Sequence, residues 1–102
     1  MRVDLKQNEM VVKAGNSNRF WEDGLIEGKF IVTNQRIYFK AFNGHEGKFD
    51  LEVTPEQLRE VHFFNTGFFS RDGLNLILKS GEQHRFRVKK RNDFGELINK
   101  MY

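Results

Sequence analysis

The sequence predicts a mainly β domain, six or seven antiparallel strands curled into a sandwich or partly open barrel, closed by one C-terminal α-helix. Three observations predict it. Residues 28–40 and 73–88 each read as a hairpin with period-2 alternation of apolar and polar side chains. Eleven of the 102 residues are phenylalanine, a strand-favouring side chain. Finally, Phe94, Leu97, Ile98 and Met101 recur at i, i+3, i+4 and i+7, the stripe of a single amphipathic helix. So many strands in so short a chain bury one face only by curling, and the helix then plugs an open end.

The first strand is placed at Met10–Ala14, with Met10 and Val12 inward. In GKFIVTNQRIYFK a two-residue loop at Asn34-Gln35 sets Val32 opposite Ile37 and Phe30 opposite Phe39. All four share the core face, and Lys29, Arg36 and Lys40 are left to solvent. Gln35 suits a positive φ poorly, so an irregular loop is expected. Further strands are placed around Phe49–Val53 and at Val61–Phe64. Between them TPEQLREV is expected to form a short helical turn, opened by Thr54 with Pro55 following. Phe63, two residues after Val61, falls on the core face; His62 and Phe64 face the other way, toward the helix.

Two registers compete for GLNLILKSGEQHRFRV. A two-residue Ser80-Gly81 loop pairs Leu76 with Arg85, core against charge. A three-residue loop, Lys79-Ser80-Gly81, puts Gly81 in the left-handed position of a bulge turn and pairs Leu76 with His84 and Leu74 with Phe86. The second register prevails because it keeps Leu74, Leu76, His84, Phe86 and Val88 on one face and Arg85, Arg87 and Lys89 on the other. The helix is expected to be capped by Asn92. Gly95 costs it about 1 kcal/mol relative to Ala, so it depends on what it packs against. The predicted core is Phe30, Val32, Ile37, Phe39, Leu74, Leu76, Phe86, Val88, Leu97 and Ile98.

Composition narrows the function classes. At 38% hydrophobic and 30% charged, residues 1–102 read as one globular domain, neither disordered nor fibrous. There is no cysteine, hence no disulfide framework, thiolate metal site or cysteine nucleophile. MRVDLKQNEM is too charged for a signal peptide, and no apolar run approaches the roughly 20 residues that span a bilayer. A cytoplasmic location is expected, extending to the periphery of the inner membrane face. His45, His62 and His84 fall on different elements without metal-ligand spacing, and there is no glycine-rich phosphate loop or serine elbow. No enzyme activity, metal or cofactor is expected.

Net charge is only +3, from 17 basic and 14 acidic side chains, but it is unevenly spread. Lys79, Arg85, Arg87, Lys89, Lys90 and Arg91 face the single Glu82 between residues 79 and 91. Arg85, Arg87, Lys89, Lys90 and Arg91 form the candidate surface for an anionic lipid or an acidic protein. The bland alternative is a solvated outer face that guards a sheet against edge pairing. At about 1 kcal/mol per basic residue near an anionic membrane, such a stripe supplies at most millimolar affinity alone.

FFNTGFFSRDG, residues 63–73, adds aromatic surface. Phe68 and Phe69 are adjacent, so an extended backbone sends them to opposite sides; one is expected over the core and one at the surface. Trp21, among Asn16, Ser17, Asn18 and Arg19, either closes the barrel mouth or sits at a recognition surface.

The run NRFWEDGLIEGKFIVTNQRIYFK resembles the signature of the GRAM domain family at Asn18, Phe20, Gly28, Lys29, Thr33, Asn34, Arg36, Phe39 and Lys40. LEVTPEQLREV is similar to the family's fourth strand and the turn after it. NTGFFSRDGLNLILKSGEQHRFRVKKRNDFGELI is similar to its closing hairpin and helix, with Asp93-Phe94 at the helix start. The resemblance implies a stand-alone, bacterial-type copy of a pleckstrin-homology-like domain, and a non-enzymatic binding or adaptor module. The inositide site of that fold uses a Lys near the end of the first strand, a position Lys13 can answer, and a basic-x-basic pair on the second. The second strand here reads Lys29-Phe30-Ile31, without the pair. The expected partner is therefore a protein or an anionic membrane surface, with homodimerisation through an exposed edge and aromatics as the alternative. Nucleic acid ranks third, for want of an RNP-like motif and with acids plentiful.

Overall fold

The computed structural model describes residues 5–22, 24–42, 47–68 and 70–101. Its frame is the two hairpins. Strand β2 (Gly24–Thr33) pairs with β3 (Ile37–Ala41) in the predicted register, Val32 opposite Ile37 and Phe30 opposite Phe39. Strand β6 (Gly73–Leu78) pairs with β7 (Gln83–Val88), Leu76 opposite His84 and Leu74 opposite Phe86. Gly81 sits at φ +95° in the three-residue loop, where the Gly81 N–H donates to the Leu78 carbonyl. The Asn34-Gln35 loop carries no positive φ, and its shape comes from side-chain bonds described below.

Strands β1 (Val11–Trp21), β4 (Leu51–Val53) and β5 (Leu58–Phe64) complete one antiparallel sheet in the order β4-β3-β2-β1-β7-β6-β5. It curls into a half-barrel whose concave side holds Phe30, Val32, Phe39, Leu74, Leu76, Phe86 and Val88, all without solvent exposure. Each such side chain contributes about 1.5–3 kcal/mol by burial. Phe30 meets the rings of Phe86 and Phe94 edge-on at 5.1 and 5.3 Å. Every residue of the predicted core lies in it, with Leu97 partly buried at its margin. Gly28 is a packing requirement, since a Cβ there would lie 2.4 Å from the Lys40 carbonyl oxygen and 2.5 Å from the Phe39 ring.

The first strand departs from expectation. It runs eleven residues, through the polar stretch Asn16–Arg19, because β2 supplies partners along it and β7 adds pairing at Ser17–Arg19. Tertiary pairing overrides weak β propensity there. Met10 and Val12 do not face inward; a register shift between Val11 and Lys13 makes Val12 a bulge, and both are exposed.

Arg36 is likewise not a solvent residue. It is buried against Glu9, and with Thr33 and Asn34 it fastens residues 5–10 across the β2–β3 loop. Thr33 Oγ1 donates to Glu9 and accepts from the N–H groups of Gln35 and Arg36. Asn34 accepts from the Met10 N–H and donates to the Asn8 carbonyl. The other flank of Arg36 meets Glu52. After β4, the Thr54 carbonyl accepts from the Gln57 N–H and the Pro55 carbonyl from the Leu58 N–H, forming the expected turn.

Helix α1 (Arg91–Met101) begins two residues earlier than a cap at Asn92 requires. Lys90, at φ +56°, is the flanking residue, and its carbonyl receives the N–H groups of Asp93 and Phe94. Asn92 is already helical and therefore cannot cap. Phe94 and Ile98 are buried. Gly95 lies against Phe63, whose ring atoms would be 2.3 Å from a Cβ at position 95. Phe63, expected in the core, is thus half-exposed under the helix, at the open margin of edge strand β5. Phe64 and His62 point to the outer face and not toward the helix.

Candidate functional site

The barrel has two ends of different character. At one, the mouth, β1 finishes, β7 begins and the segment leading into β4 crosses. Trp21 packs edge-on against Phe49 at 5.2 Å, and the Arg19 guanidinium lies over the Trp21 ring at 4.8 Å. Arg19 is buried, donating to the Phe49 carbonyl at 2.8 Å and to His84 Nδ1 at 3.0 Å. This bond makes Nδ1 the acceptor and keeps His84 neutral. Burial first, and Arg19 second, depress the His84 pKa. Its Nε2 lies 3.4 Å from the Glu82 carboxylate but out of line for a hydrogen bond.

Sequence reasoning did not single out Arg19, because the strand was ended too early. With β1 running to Trp21, Lys13 lies near the strand's start and Arg19 near its end. Lys13 Nζ instead sits 5.1 Å from the centre of the Phe94 ring. The mouth holds a cavity of about 310 Å³ lined by Arg19, Trp21, Glu22 and His84 among others. Glu22 lines the same cavity as the buried Arg19 guanidinium, whose pKa burial lowers while Asp50 opposes that shift. Such a charge balance offers little to an anionic ligand.

The other end combines the β5–β6 loop with the start of α1. The Val88 N–H donates to the Asp72 carbonyl, and the Arg91 guanidinium donates to the carbonyls of Phe64 and Gly73. The base of the loop is pinned by Asp72. Its carboxylate accepts from the Thr66 hydroxyl and, at 2.9 Å, from Arg87 Nε. Burial works against the Asp72 charge, but Thr66 and Arg87 outweigh it and lower its pKa. Within the loop, Thr66 N–H bonds the Ser70 carbonyl and Ser70 N–H the Gly67 carbonyl. At the tip, Phe68 is 92% exposed. Phe69 lies outside the described residues, as does His45.

The five cations of the stripe therefore separate. Arg85 stacks on Phe64 at 4.2 Å and Phe20 at 5.8 Å, on the outer sheet face. Gly73 makes room for this, since its Cβ would collide with the Phe64 ring at 2.6 Å. Arg87 holds Asp72, and Arg91 holds the β5–β6 carbonyls over Phe63. Lys89 and Lys90 are exposed and form no ion pair among the described residues. Arg71, beside the aromatic tip and equally exposed, joins them; it was missed because it lies outside the basic run in sequence.

By sequence, the chain matches no protein-family model and no curated protein. By structure, it is similar to a solved structure titled "Vps36 N-terminal PH domain", with TM-score 0.71 and 19% identity over 95% of this chain and 81% of that one. It is also similar to the C-terminal domain of an unknown protein from Leishmania infantum, with TM-score 0.77 and 7% identity over 93% and 86% of the two chains. At these identities the likeness concerns the fold, which is pleckstrin-homology-like. No helix of the described residues is long and apolar enough to cross a membrane.

Proposed function

We propose that this chain is a non-catalytic binding module of the GRAM type that docks on an anionic membrane surface by its helix-side end. One observation carries the reading: the most exposed phenylalanine among the described residues stands on a loop fixed at its base, with Arg71 three residues along it and the exposed Lys89 and Lys90 directly after Val88, whose N–H bonds the loop's Asp72 carbonyl.

The energetics define a weak, reversible contact. Three cations near an anionic surface supply about 3 kcal/mol, and burial of one phenylalanine adds about 1.5–3 kcal/mol. The sum corresponds to a Kd on the order of 0.1 mM, so the contact works at high local concentration or beside a second interaction.

Co-sedimentation with phosphatidylcholine vesicles, with and without phosphatidylserine, tests the reading. Binding is expected only with phosphatidylserine and is expected to fade as salt rises from about 0.1 M to about 1 M, where the Debye length falls from about 10 Å to about 3 Å. Equal recovery with both vesicle types, or none with either, would turn the assignment toward a protein partner.

A further inference from the structure

A second surface lies where β1 outruns β7. We propose that the free edge of β1, residues 13–16, receives an extended acidic peptide segment of a partner protein as an added strand. Strand β1 is paired with β2 along its length but with β7 only at Ser17, Asn18 and Arg19. Beyond that point β7 ends at Val88 and the chain turns through Lys90 into α1.

The direction of the unpaired groups follows from the ladder. The Val88 N–H donates to Asp72, away from β1, so it is Arg87 whose backbone faces its partner Asn18. In an antiparallel strand the direction alternates residue by residue. The N–H and C=O groups of Ala14 and the N–H of Asn16 therefore point the same way as those of Asn18, past the end of β7, while the Asn16 carbonyl faces the Lys89 N–H beside the Ser17–Val88 pair. Both residues are exposed. Unpaired edge groups are a template for another strand unless something guards them. The lysine that could guard this edge, Lys13, is turned over the Phe94 ring, and the bulge at Val12 limits the slot to four residues.

Charge selects the occupant. Lys89 and Lys90 stand exposed just past the end of β7, while Val11 and Val12 are each 47% exposed at the slot's far end. A second copy pairing about a two-fold axis brings two such sets of lysines together. A peptide with carboxylates at the Lys89–Lys90 end and apolar side chains toward Val11 and Val12 satisfies both. Lys89 and Lys90 serve both surfaces, whereas Phe68 belongs to the docking end alone, so it is the aromatic tip that tells the two apart.

The test is selection of random displayed octapeptides on the full chain, followed by amide hydrogen exchange with a selected peptide. Expected are alternating apolar peptides rich in Asp and Glu at one end. The amide protons of Ala14 and Asn16 exchange rapidly in the free chain and slow down on binding. Ala14→Pro removes an outward N–H while sparing the β2 ladder, as proline does on edge strands; it is expected to weaken binding by about tenfold or more, whereas Phe68→Ser leaves it unchanged. Three results overturn the proposal. They are the absence of acidic peptides from the selection, protection of both amides in the free chain or only at high protein concentration, and binding that slows other amides while Ala14 and Asn16 stay open. The exchange measurement uses the unaltered chain, so the outcome does not depend on how Ala14→Pro folds.

Discussion

Arg36 grips Glu9 through two hydrogen bonds, Nε to Oε2 at 2.8 Å and Nη2 to Oε1 at 2.7 Å, with the carboxylate fully removed from solvent. A bidentate guanidinium–carboxylate pair is among the stronger polar contacts a protein makes. Here it joins the first described residues to the β2–β3 hairpin. The Thr33-Asn34-x-Arg36 run that carries the family resemblance is thus explained by architecture: each named side chain fastens residues 5–10 to the barrel.

Removing one partner of a buried pair strands the other, at about 3–5 kcal/mol. Arg36 keeps Glu52 on its partly exposed flank, so Glu9→Gln is expected near the lower end, about 3 kcal/mol. Urea unfolding of the two chains reads this directly, and an unshifted midpoint would show that the clasp is not formed in solution.

Hydrogen bonding from Arg36, then from Thr33, holds the Glu9 pKa down at about 2 against the opposing effect of burial. A depressed carboxyl contributes stability that is complete above its unfolded value, near pH 4.5, and is lost as pH falls toward about 2. The difference between wild type and Glu9→Gln should therefore be constant at neutral pH and close across that acid window. His84 acts at higher pH. Its pKa is also lowered, by burial and by Arg19, so below about pH 6.5 the unfolded chain takes a proton the native one resists. Wild type and Glu9→Gln should both lose stability as pH drops below that value, and a flat profile between about pH 7 and pH 5 would contradict the neutral His84.

Gly95 and Phe63 should be energetically coupled. Alanine favours a helix interior over glycine by about 1 kcal/mol, but its Cβ would meet the Phe63 ring at 2.3 Å. Phe63 is half-exposed and can swing aside only by leaving Arg91, whose guanidinium lies 5.0 Å from the ring centre. Gly95→Ala is expected to be neutral or destabilising in the wild type and stabilising in a Phe63→Ala background. A double-mutant cycle that closes without an interaction energy refutes the contact.

Both hairpin registers were legible in the sequence, because a shift of one residue in either would have set charge against core. The set of buried side chains followed from them. Residues whose partners are distant in sequence were not legible. Arg36 looked like an outward residue until Glu9, 27 positions away, was folded over it. The first strand, placed at Met10–Ala14, stopped short of the polar stretch Asn16–Arg19 because the strands that hold it come later in the chain. At the candidate docking end, the basic run was visible as composition. Its division into Arg85, Arg87 and Arg91, occupied by local contacts, and Lys89 and Lys90, left to solvent, required the positions of Phe64, Asp72 and Gly73.

That division gives the sharpest test of the docking surface. Reversing Arg87 looks harmless from strand alternation alone, since the side chain faces outward. In the structure it sets a carboxylate against Asp72, whose contacts with Thr66 and Arg87 hold the Phe68 loop. Arg87→Glu should therefore loosen the loop and change both the charge and the aromatic contributions to vesicle binding. Lys89→Glu with Lys90→Glu touches no described ion pair and should abolish only the salt-sensitive part. Phe68→Ser should remove a part that salt does not screen, about 1.5–3 kcal/mol or roughly ten- to hundredfold in affinity. The measurement is co-sedimentation with phosphatidylserine-containing vesicles across a salt series, together with proteolysis of the loop in each variant. If the double lysine reversal binds like wild type at low salt, the cations at the helix-side end are an ordinary solvated surface, and the membrane reading falls with them.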